Sequence, residues 1–70
     1  MATAAQIKAL QASLQEVLDD LGNTSKIDTA DPDELARRIA YGLKYAKVRA
    51  PNPARDARAD AAIKAATGKP

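Results

Sequence analysis

The chain has 70 residues, with 11 Lys and Arg, 9 Asp and Glu, no histidine and no cysteine. That length allows one small domain, and the missing residue types exclude disulfide staples, thiolate chemistry, the common zinc sites and the usual general base at neutral pH. The net charge of +2 hides a division, because residues 1–35 carry two cations against seven carboxylates whereas residues 36–70 carry nine against two.

Three helical segments follow one another, and no stretch alternates as a strand would. The first opens at Thr3 with Gln6 three residues on, the pattern of a capping box. Ile7, Leu10, Leu14, Val17 and Leu21 then recur at spacings of three and four, with Leu18 beside them. They form one apolar stripe. Gly22 supplies the left-handed conformation that ends a helix, so the first helix is predicted at about 4–21. Residues 22–31 read as a connection rich in turn formers. Its one large apolar residue, Ile27, is expected to pack onto the helices.

The second helix, at about 32–48, carries the strongest start signal in the chain. Asp31 can cap, Pro32 suits the first position, and Asp33 and Glu34 favour the positive end of the helix dipole. Glu34 would also complete a capping box with Asp31. Leu35, Ala36, Ile39, Gly42, Leu43 and Ala46 share a face. Gly42 within that face is expected where a facing helix backbone comes close. Lys44, Lys47 and Arg49 stand at the negative end, and the prolines of "APNP" stop the helix by forcing the residues before them out of helical geometry.

Asn52 and Pro53 start a third helix at about 53–67, ending at Gly68 with Lys69 and Pro70 after it. Its composition favours helix, yet Ile63 is its only large apolar residue, so it is weakly amphipathic. Residues 1–70 make one helical domain. Three alternatives stand for 53–70: a helix docked on the first two, a helix ordered only on a partner, or a mobile tail. The predicted architecture is all-α, an antiparallel hairpin of the first two helices with the third across one end. In that arrangement the division of charge along the sequence becomes a division in space.

The functional reading rests on shape and charge. Seventeen of the hydrophobic residues are alanine, and only twelve are Ile, Leu or Val. A core this thin is expected to gain stability by oligomerising or by docking on a larger complex. Tyr41 and Val48 lie nearly opposite the apolar stripe of the second helix, and Tyr45 lies at its flank. Tyr41 can pack under the third helix, or it can join Tyr45, Val48, Arg37, Arg38 and Lys44 in a partner interface, where tyrosine and arginine are enriched. Opposite charge at the two ends suits head-to-tail contacts between copies.

The leading expectation is therefore a non-catalytic assembly subunit, in the cytoplasm or within a soluble assembly such as a virus particle. The alternative is a small DNA- or RNA-binding regulator. There the second and third helices would form a helix-turn-helix-like unit, contacting nucleic acid through Lys47, Arg49, Asn52, Arg55, Arg58 and Lys64.

Catalysis finds no support. Asp19 and Asp20 are adjacent and diverge on a helix. Asp28, Asp31 and Asp33 lack the glycine and glutamate of a calcium loop, and Ser13, Thr24 and Ser25 have no histidine to activate them. No catalytic residue, metal ligand, cofactor or small-molecule substrate is expected. A membrane partner is not expected either, because the first helix has Lys8 as its only cation and no aromatic anchor, and no signal-peptide core stands at the N-terminus.

Overall fold

The computed structural model describes residues 2–68. Met1, Lys69 and Pro70 lie outside the described residues, and with the latter two the end of the segment 53–70. Three helices, α1 (Ala4–Asp20), α2 (Pro32–Arg49) and α3 (Pro53–Thr67), account for the regular structure, and no strand occurs among the described residues. The fold is all-α, as the periodicity predicts, and the helix bounds agree with the sequence signals to within a residue.

Most of the end signals work as read. Thr3 and Gln6 form the reciprocal capping box of α1. At its other end Gly22 sits at φ 73°, with the Asn23 N–H donating to the Leu18 carbonyl at 2.8 Å and the Gly22 N–H to that of Asp19 at 3.0 Å. This paired 6→1 and 5→2 arrangement satisfies carbonyls that a helix end otherwise leaves bare. The Asn52 side chain accepts from the Arg55 N–H to cap α3, which closes on left-handed Gly68. At α2 the Asp31 carboxylate accepts from the Asp33 N–H, but no capping box forms with Glu34. Glu34 is drawn instead to Arg37 and Arg38 one turn on, and the Asp31 N–H donates to Thr29 Oγ1 at 3.2 Å.

The pairing of the helices differs from the expected hairpin. One guanidinium nitrogen, Arg55 Nη1, donates both to the Asp20 carboxylate at 2.7 Å and to the Ala50 carbonyl at 2.8 Å. The C-terminal ends of α1 and α2 therefore meet at one end of the molecule. At the other end of α2, Gln11 in the middle of α1 donates to the Thr29 carbonyl at 2.9 Å. Residues 21–31 thus run back along α1, and α2 then travels in the same general direction as α1. The antiparallel relation belongs to α1 and α3: Arg55 meets Asp20 near the start of α3, and Arg58 meets Glu16 one turn later. The physical reason lies in the connection, which is long enough to return along α1 and is held there by Ile27 and by the Gln11 contact.

The core consists of Leu10, Leu14 and Val17 from α1, Leu35, Ile39, Leu43 and Ala46 from α2, and Ala59 from α3. Ile7, Leu18, Leu21, Ile27 and Ile63 pack around it, half-buried. Between α1 and α2, a Cβ built on Gly42 would lie 2.8 Å from Val17 Cγ1. The close approach expected at this glycine is present, but it is a valine side chain that fills the space rather than helix backbone. α3 is docked on the other two helices through Ala59, Ala62, Ile63 and Ala66. Its largest buried side chain is Arg55, which is 0% exposed.

Candidate interaction face

α2 places its apolar residues at three- and four-residue spacing toward α1 and α3, so what lies between them is turned outward. Three large apolar side chains are left there: Tyr41 is 63% exposed, Tyr45 46% and Val48 80%. The prediction that Tyr41 packs under α3 is not met. α3 lies instead along the side of α2 that carries Ala36 and Ala40. The tyrosines are four residues apart, which brings their side chains together on a helix. Their ring centroids are 5.4 Å apart with the planes inclined at 67°, an edge-to-face contact, and the hydroxyls lie 3.3 Å apart. Each ring limits the freedom of the other, so the pair stands as a partly ordered aromatic ridge.

The cations around this ridge fall into two groups. Arg37 is paired with Glu34, and Arg38 with Glu34 and, more loosely, with Asp28 at 3.7 Å. Hydrogen bonds from Arg37 first and Arg38 second, with their positive charges, hold the Glu34 carboxyl below its ordinary value. Lys44, Lys47 and Arg49 are exposed and form no ion pair among the described residues. From Leu35 to Ala50 the helix carries no carboxylate. The Tyr41 phenol titrates above its ordinary value, chiefly because of its hydrogen bond with Tyr45, then because a second phenolate charge beside it is unfavourable. An alkaline absorbance titration is expected to show one tyrosine ionising later than a free phenol. Tyr45→Phe should return Tyr41 to the ordinary range, whereas an unchanged late step would place the cause elsewhere.

The residues assigned by sequence to nucleic acid do not form one surface. Arg55 is buried, which removes it from any phosphate. Asn52 is spent on the cap of α3, and Arg58 is paired with Glu16. Lys47, Arg49 and Lys64 remain exposed without an ion pair, but the leading end of α3 is turned into the protein.

Sequence reasoning placed Arg55 outside and so missed the polar centre of the fold. Arg55 Nε and Nη2 donate to Asp56 at 3.0 and 2.8 Å, while Nη1 serves Asp20 and Ala50. Its pKa is raised, mainly by the hydrogen bond to Asp20, with burial opposing and Asp56 adding to the rise. No buried side-chain nitrogen or oxygen among the described residues lacks a partner. Among those residues there is also no cluster of three or more metal-ligating side chains, and no helix long and apolar enough to cross a membrane. No protein-family model, curated protein or solved structure matches this chain.

Proposed function

We propose that this protein is a non-catalytic helical subunit that associates head to tail with further copies of itself. The observation that carries this reading is the distribution of unpaired charge along α2. Asp31 and Asp33 at its start form no ion pair, while Lys44, Lys47 and Arg49 near its end also stand free, with Tyr41, Tyr45 and Val48 among them. The helix has 18 residues, so the two groups lie up to about 27 Å apart on one rigid element. Like charges would oppose a symmetric contact between two basic ends. The acidic start of one copy set against the basic end of the next satisfies both. Asp20 is neutralised by Arg55 and Glu16 by Arg58, so the acidic end of α1 is answered within the molecule while the two ends of α2 are not.

Light scattering at low and high salt tests the reading. The expected result is a mass above that of the monomer at low salt, falling as salt screens the contact. Lys47→Glu with Arg49→Glu should abolish association, as should Asp33→Lys, and mixing the two variants should restore it, because each end then meets a start of opposite charge. A compact monomer at micromolar concentration in all salts would overturn the proposal. A change of mass only when DNA or RNA is added would transfer the basic end of α2 to a nucleic-acid partner, whose binding should weaken steeply with salt.

A further inference from the structure

Beside the tyrosine ridge, between α2 and the returning connection, runs a half-open groove of about 360 Å³. Its floor is apolar, made by Leu14 and Leu18 of α1, Leu21 just after it and Ile27, and Tyr41 and Tyr45 form one wall. Lys26 and Arg38 stand at its polar edge with Asn23 and Ser25, and no carboxylate lines it. Arg38 already serves Glu34 and Asp28, but Lys26 is exposed and unpaired. Arg49 follows Tyr45 by four residues, which sets it on the same side of α2, and it too is unpaired. The groove therefore combines a greasy floor, a preorganised aromatic wall and one free positive charge at its edge, Lys26, with Arg49 a turn beyond Tyr45.

We infer that this groove binds an acidic segment of another protein, which inserts one bulky aliphatic or aromatic side chain between the tyrosines and Ile27. The occupant is argued from charge and from what this chain can itself supply. A second copy has no suitable anchor: its exposed large hydrophobics are Tyr41, Tyr45 and Val48, all set among cations that Lys26 and Arg49 would repel. A partner with carboxylates around its anchor meets the opposite field. The volume is at the low end of the range of about 300–1,000 Å³ for sites that enclose a whole small molecule. Being half-open rather than enclosed, the groove suits a side chain delivered by a polypeptide. A tyrosine wall held edge to face loses little freedom on binding, which favours a well-defined anchor pocket.

The probe is a short synthetic peptide of Asp, Glu and Ser around a single Leu, titrated into the monomeric protein with its mass followed in the same samples. Failure of self-association leaves this measurement intact. The Leu peptide is expected to bind about tenfold or more tighter than its Ala counterpart, the loss that removal of one buried aliphatic side chain implies. It should also outbind the same peptide built on lysine. Tyr45→Ala, at an exposed position, should erase the preference for Leu over Ala, and Lys26→Glu with Arg49→Glu should reverse the preference for acid over base. Equal binding of the Leu and Ala peptides, equal binding of the acidic and basic peptides, or no saturable binding of either would each overturn the inference.

Discussion

Arg55→Ala is expected to lower the stability of the protein by about 3 kcal/mol, near the bottom of the range for removing one member of a buried ion pair. The lower end applies because the cluster is shallow: Arg55 is covered, but the side chains of Asp20 and Asp56 remain 33% and 19% exposed. Water reaches the carboxylates and partly solvates whichever charge is left. Even so, a chain of 70 residues at about 0.05–0.15 kcal/mol per residue has only roughly 3–10 kcal/mol in hand. The melting temperature followed by circular dichroism should therefore fall by about 12–24 °C, at about 4–8 °C per kcal/mol for a domain of this size. A fall of only a few degrees would mean that α3 is held by its alanines and Ile63 alone.

The size of that effect comes from where the guanidinium sits. α1 ends in Asp19 and Asp20 and has no cation in its last turn, an arrangement that the negative end of the dipole disfavours. α2 ends at the same place, with the Ala50 carbonyl facing inward. One cation from α3 answers both ends at once and joins all three helices. Arg55→Lys should not rescue it fully, since an ammonium cannot reproduce the planar fork that reaches Asp56, Asp20 and Ala50 together. Arg55→Met restores bulk without charge and should fall between Ala and the original residue.

This cluster also marks where the sequence stops being legible. The stripe of Leu10, Leu14 and Val17, the caps at Thr3 and Asn52 and the stop at Gly22 are local signals. Each depends on residues within a turn of itself, so each can be read from spacing. The direction of α2 is different. It depends on the path of residues 21–31, fixed by a Gln11 side chain and by Ile27, neither of which has a distinctive pattern. Reading the first two helices as an ordinary hairpin put the acidic end of α1 beside the acidic start of α2, and so separated the charges that the fold brings together. One clue was available: a helix ending in two aspartates without a nearby cation needs one from elsewhere, and a basic third helix could supply it. The candidate face was easier. Tyr41 lies off the apolar stripe by helical spacing alone, and the structure leaves it exposed. The groove beside it was invisible, because Ile27 and Lys26 reach it only through the returning connection.

Gly42→Ala is expected to destabilise the protein by about 1 kcal/mol, even though alanine favours a helix over glycine by about 1 kcal/mol. The added methyl would stand 2.8 Å from Val17 Cγ1. Val17 is fully buried, and its branched side chain has a single strongly preferred rotamer in a helix, so it cannot turn aside. Overpacking of this kind costs about 1–3 kcal/mol, enough to outweigh the gain in propensity. Gly42→Val adds more bulk at the same contact and gives up much of that gain, so a loss of about 3 kcal/mol is expected. The decisive measurement is a double-mutant cycle by urea unfolding. Val17→Ala alone should destabilise through the cavity it leaves, but with Val17 gone the Gly42→Ala change should reverse sign and stabilise. If Gly42→Ala is stabilising with Val17 in place, the two helices can separate at this contact without loss. The parallel course of α1 and α2 would then be held by the Arg55 cluster and the Gln11 contact, and not by the packing of Val17 on Gly42.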